Sequence, residues 1–176
     1  MKKLNQFIAE KFRLSKDNLE PHYNYHPKTK DELDELIRKL IKERGDDADL
    51  NDIDTSEITD MSLIFCGSKF NGDISNWNVS KVTNMRAMFA ESKFNGDISQ
   101  WDVSNVTTME AMFNKSEFNG DISKWDVSNV KIMQCMFDES EFNRDISQWN
   151  VSNVKNMSWI FDNSPLLKNP PAWYKE

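Results

Sequence analysis

Few residue types in this chain could do chemistry, and each has a plain alternative. His22 and His26 flank two tyrosines in the segment Pro21 to Pro27, PHYNYHP. Two imidazoles could begin a metal site, but a zinc or transition-metal centre needs three or four ligands and none is supplied nearby. The segment therefore reads as an aromatic loop packing on a cap. Asp49, Asp73, Asp97, Asp121 and Asp145 recur every 24 residues, and a stacked acid row invites calcium. Calcium takes six to eight oxygens, and one carboxylate per repeat is too few. The simpler role is an aspartate bonding the amides of its own turn after Asn-Gly. Ser75, Ser99, Ser123 and Ser147 have no base in phase with them. No nucleophile elbow, phosphate loop or zinc spacing occurs. The expectation is a protein that is not an enzyme and uses no cofactor and no metal.

The spacing of these residues comes from a repeat. Phe70, Phe94, Phe118 and Phe142 align, as do Trp77, Trp101, Trp125 and Trp149, then Met61, Met85, Met109, Met133 and Met157, then Phe65, Phe89, Phe113, Phe137 and Phe161. A fixed period of this size marks stacked units, none of which can bury its apolar side alone. Within one unit, Trp101 and Val103 would point inward from a short strand, with Asp102 outward. Val106, Met109, Met112 and Phe113 stand at offsets 0, 3, 6 and 7, one stripe of a short helix that Ser104 would cap. The expected fold class is α/β: a short right-handed leucine-rich-repeat-like solenoid, strand plus short helix per 24-residue turn, about five turns, with a helical N-terminal cap.

On that reading the outward strand positions form a flat polar surface. Asp54, Asn78, Asp102, Asp126 and Asn150 would make one column, with Asn76, Gln100, Lys124 and Gln148 beside it. Stacked repeats commonly bind partners on such extended faces, so the eight from Asn76 to Asn150 are the candidate partner-binding residues. Regular polar columns also arise simply because they solvate a sheet. The Trp and Met columns keep strict phase and belong to the core. Trp159 stands in the column of Ala87, Ala111 and Cys135, either packing under a C-terminal cap or exposed as an aromatic anchor. Arg144 interrupts the column of Gly72, Gly96 and Gly120, so either that position needs no positive φ or the last turn is relaxed.

The pattern Ile-x-x-Trp-x-Val-x-x-Val resembles a leucine-rich repeat. Val82, Val106, Val130 and Val154, however, replace the buried asparagine of that repeat. The whole unit, FNGDIS-x-W-[DN]-V-S-x-V-x-x-M-x-x-MF, resembles the BspA-like, mycoplasma-type surface-lipoprotein repeat, over about Asp49 to Ser164 in four nearly intact copies. The resemblance implies a repeat scaffold and, in many members, a secreted or surface adhesin. It carries no catalytic residues.

Three segments follow: residues 1–45, a helical extension and cap; 46–164, the repeats; 165–176, a C-terminal cap. Leu4 to Arg13 reads as a first helix. Thr29 and Glu32 form a capping box for a second, with Leu33, Leu36, Ile37, Leu40 and Ile41 on one face and Gly45 at its end. Asp49 to Ser56 is a degenerate repeat, and Trp173 keeps the register 24 residues after Trp149 before Pro170 and Pro171 end pairing. The net charge is −7. The repeats hold 20 acidic and 9 basic residues against 8 and 11 in residues 1–45, which disfavours nucleic acid as a partner. No apolar run is long enough to span a membrane. Met1 to Gln6 starts like a signal peptide, but Glu10, Lys11 and Arg13 interrupt it and no lipobox cysteine follows. Cys66 and Cys135 sit at different phases, as ordinary reduced thiols would. The chain is thus expected to be cytoplasmic, monomeric, and a scaffold for a protein partner. The alternatives are an acidic nucleic-acid mimic that inhibits a nucleic-acid-binding protein, or an exported surface adhesin.

Overall fold

A computed structural model of the chain describes residues 23–175. His22 and the helix expected over Leu4 to Arg13 lie outside the described residues. Helix α1 spans Lys30–Arg44. The Thr29 hydroxyl accepts from the Glu32 amide at 3.2 Å, and the Glu32 carboxylate accepts from the Lys28 amide at 2.6 Å. Gly45, at φ 95°, ends the helix with its amide on the Ile41 carbonyl. Leu33, Ile37 and Leu40 are buried and join the core of the first repeat. Arg44 reaches back to Asp52 at 3.0 Å and to the Asp49 carbonyl at 3.1 Å. Ahead of α1, Tyr25 pairs in parallel with Ile53, so the aromatic loop adds a partial turn to the stack.

The strand-plus-helix repeat expected from the sequence is corrected. Among the described residues α1 is the only α-helix, joined by a short 3-10 turn at Pro165–Lys168, and there is no strand, only isolated parallel bridges. An α/β leucine-rich-repeat-like coil does not fit this backbone. Between Met109 and Ser116 the chain is a run of successive turns: Met112, Asn114 and Ser116 amides bond the carbonyls of Met109, Ala111 and Phe113. The alternate amides reach the next repeat, with Met109, Ala111, Phe113 and Lys115 donating to Ile132, Gln134, Met136 and Asp138. Ala111 and Lys115 take φ of 54° and 55°, as do their phase mates nearby, which is what lets alternate amides point the same way. Ser104 caps no helix; its amide and hydroxyl both bond Asp102.

The Asp97 to Val103 stretch is likewise a turn, closed by the Trp101 amide on the Ile98 carbonyl at 3.2 Å. Trp101 and Val103 are buried and Asp102 exposed. The link to the preceding repeat there is the indole, not the backbone: Trp101 Nε1 donates to the Ile74 carbonyl at 3.2 Å, and Trp125, Trp149 and Trp173 repeat the bond one repeat on. Asn side chains do the same elsewhere. Asn71, Asn95 and Asn119 Oδ1 accept from the amides of Asn95, Asn119 and Asn143.

The core is a continuous aromatic column. Phe70, Phe94, Phe118 and Phe142 stack at 6.2–6.3 Å within 3° of parallel. Phe89 and Phe113 interleave with them at 4.4 and 4.3 Å. Each ring removed from water contributes about 1.5–3 kcal/mol. Gly96 and Gly120 have no positive φ; a Cβ there would meet the Phe94 or Phe118 ring at 2.8 Å. Arg144 breaks the column in the last full repeat, where its Nε donates to the Asn119 carbonyl.

Candidate functional site

The eight candidate residues Asn76, Asn78, Gln100, Asp102, Lys124, Asp126, Gln148 and Asn150 are all exposed and run along one corner of the stack. No sheet lies beneath them. Asn78, Asp102, Asp126 and Asn150 each accept from the amide of the serine two residues on, at 3.0–3.2 Å. One side-chain oxygen of each is therefore spent on its own turn, and the bonds to Ser128 hold the Asp126 carboxyl below its ordinary range. The neighbours are freer. Gln100 and Gln148 donate only to the adjacent serine hydroxyls, at 3.1 and 3.3 Å.

The aspartate column is built the same way. Asp73, Asp97, Asp121 and Asp145 accept from the amides of Ser75, Ser99, Ser123 and Ser147 at 2.8–3.0 Å. These bonds lower all four carboxyls from the ordinary value. Among the described residues, no three His, Cys, Asp or Glu side chains gather closely enough to hold an ion. His26 instead lies 3.2 Å from Asp54 at the N-terminal end.

Sequence reasoning missed the face that carries the inter-repeat backbone bonds. Its columns include Asp60, Asn84, Thr108, Ile132 and Asn156, joined by parallel bridges, and Leu63, Ala87, Ala111, Cys135 and Trp159, all at positive φ. The signal available was the pairing of small or polar residues in phase, set beside the unbroken Asn and Ser columns. Ser92, Ser116, Ser140 and Ser164 are buried, each hydroxyl bonded three residues back at 2.8–2.9 Å. Charges alternate down the stack: Lys81–Glu57, Arg86–Glu110, Lys93–Glu117 and Lys115–Glu139 pair across neighbouring repeats at 2.8–3.5 Å. Such exposed pairs set local charge more than stability. Asp138 is the exception to this satisfaction. One carboxylate oxygen is buried without a hydrogen-bond partner, and desolvation beside Glu139 and Asp162 raises its pKa. Cys66 and Cys135 are free thiols, pushed up by burial.

Trp159 is 61 % exposed, so it is not packed under the cap. Two hollows open at the C-terminal end, the first of them against Trp159. One, of about 430 Å³, is lined by Lys155, Met157, Trp159, Tyr174 and Lys175; the other, of about 470 Å³, by Asp162, Asn163, Pro165, Leu167 and Lys168. Trp173 and Tyr174 cover the core behind them, against Phe161 at 5.7 and 5.2 Å.

No curated protein and no solved structure matches the chain. A family model does, twice, over residues 35–117 and 92–174, the two matches overlapping as a repeat would make them. The chain therefore belongs to the family described as Mycoplasma protein of unknown function, DUF285.

Proposed function

We propose that this protein is a non-enzymatic scaffold that holds a protein partner along the corner row of Asn76, Gln100, Lys124 and Gln148, flanked by Asn78, Asp102, Asp126 and Asn150. The observation that carries the reading is that the row is exposed along four consecutive repeats on a backbone fixed by turn bonds. A rigid, repeated row meets a partner at little cost in ordering. Its chemistry is amide-rich and mixed in sign, which suits a protein surface. The Lys–Glu ladders on neighbouring columns break any continuous anionic field, so the row makes a poor imitation of a phosphate backbone. Free thiols at Cys66 and Cys135 support a reducing, cytoplasmic setting, and no helix of the described residues is long and apolar enough to cross a membrane. Kinship with mycoplasma-type surface lipoproteins would place it outside the cell instead, and cell fractionation separates the two.

The test is capture of a partner from native lysate by the wild type and by an Asn76→Arg, Gln100→Arg, Gln148→Arg variant. None of these side chains holds its turn, so the melting temperature is expected to stay unchanged while capture is lost. A partner retained by the variant rules out this row.

A further inference from the structure

The C-terminal cap completes only part of the layer it lies on. Trp173 takes the place of a next-repeat tryptophan, its Nε1 on the Ile146 carbonyl at 2.9 Å, and Trp173 and Tyr174 pack on Phe161. The face that carries the parallel bridges receives no such layer. Its ladder through Asp60, Asn84, Thr108 and Ile132 stops at Asn156.

Every earlier layer shows what this edge takes. The carbonyls of Thr59, Thr83, Thr107 and Lys131 accept from the amides of Thr83, Thr107, Lys131 and Lys155. Two residues on, the bonds run the other way: Met61, Met85, Met109 and Met133 amides donate to the carbonyls of Asn84, Thr108, Ile132 and Asn156. Four residues on, Leu63, Ala87, Ala111 and Cys135 donate to Arg86, Glu110, Gln134 and Ser158. In the last repeat the Lys155 carbonyl has no donor among the described residues, and the Met157 and Trp159 amides have no acceptor among them. One extended segment in parallel register satisfies all three. The side chains agree. Met61, Met85, Met109 and Met133 are fully buried, whereas Met157 is half-buried. The hollow of about 430 Å³ is lined by this same run, residues 155–159, and by Tyr174 and Lys175. Lys155 and Lys175 are exposed on it, and no described carboxylate lines it.

We propose that this edge holds a short extended segment of a protein partner, acidic at its first residue and apolar at its third, added to the last repeat as each repeat is added to the one before. Its first amide donates to the Lys155 carbonyl. The carbonyls of its second and fourth residues accept from the Met157 and Trp159 amides. Its third side chain covers Met157, and its first carboxylate meets the two lysines. Main-chain bonds at an open edge give such a segment affinity, and side chains give it specificity. Lysine at the edge turns away a like-charged chain and selects an acidic one. The site uses a different surface from the corner row, so it stands or falls separately from the scaffold reading.

Titration of the full chain with a capped peptide, acetyl-Asp-Thr-Met-Glu-Ala-amide, tests it. The peptide copies Thr107 to Ala111, the segment that covers Thr83 to Ala87, with aspartate placed first to face Lys155. The amide resonances of Met157 and Trp159 are expected to shift saturably, half-complete below about 1 mM peptide. The same peptide with lysine in place of its two acids is expected to bind roughly tenfold more weakly. Lys155→Glu, a change at an exposed side chain, is expected to reverse that preference. N-methylation of the first two peptide amides removes the donor to the Lys155 carbonyl and is expected to abolish the shifts. Inorganic phosphate at the same concentration is expected to move neither resonance. No saturable shift at these amides, or equal shifts from the N-methylated peptide or from phosphate, overturns the proposal. An unchanged preference in Lys155→Glu overturns it as well.

Discussion

At the scale of single residues, most of what resembled chemistry in the sequence is turn construction. Asp102 illustrates it: its Oδ1 binds both the amide and the hydroxyl of Ser104, at 3.1 and 2.6 Å. Asn78 makes the same pair of bonds to Ser80. Asp102→Asn is thus expected to leave stability nearly unchanged, while Asp102→Ala loses about 1 kcal/mol; thermal melts of the two variants check this. The depressed carboxyls of Asp73, Asp97, Asp121 and Asp145 stabilise the fold above their unfolded pKa, and that contribution is lost as pH falls through the folded values. Asp138 has the opposite sign. Its raised pKa means that its contribution is favourable below the unfolded value and is lost as pH rises through the folded one. Asp138→Asn is therefore expected to raise the melting temperature at pH 7 by roughly 2–4 °C, the shift about 1 kcal/mol produces at this chain length. The gain should vanish in acid, where the wild-type carboxyl is protonated. A gain that persists there would show the effect is not electrostatic.

At the scale of elements, the sequence was readable where the signal was local. Thr29, Glu32 and Gly45 mark the ends of α1 because capping is decided within one turn of backbone. It misled where the hydrogen bonds were not local. Val106, Met109, Met112 and Phe113 are all buried, as a helical stripe requires. Successive turns closing over three residues produce nearly the same spacing, and only the destination of the amides distinguishes the two. The apolar positions were legible; the partners of the backbone were not. The role of tryptophan was hidden for a related reason, since its apolar bulk masked the indole donor. Trp125→Phe keeps the stacked ring but removes one of the two donors to the Ile98 carbonyl, leaving the Trp101 amide. It is expected to cost about 0.5–1.5 kcal/mol, read from denaturant unfolding. A loss below the error of that measurement would mean the indole bond couples nothing.

At the scale of the whole molecule, 24-residue units lie one on the next through aromatic rings, amide ladders and four columns of aligned peptides. Contacts run only between neighbours, so stability is close to a sum of repeat and interface terms. The sequence showed this periodicity directly, as well as the polar corner row. It did not show which face carries the backbone bonds. The most direct test of this architecture is amide hydrogen exchange resolved by residue. Met109, Ala111, Phe113 and Lys115 bond the next repeat and are expected to exchange near the global-unfolding limit. The amides of Ile98, Asp102 and Val103, which have no backbone acceptor among the described residues, should exchange faster by orders of magnitude. Slow exchange running through Ile98 to Val103, with fast exchange at Ala111 and Lys115, would contradict the account and restore a strand between repeats.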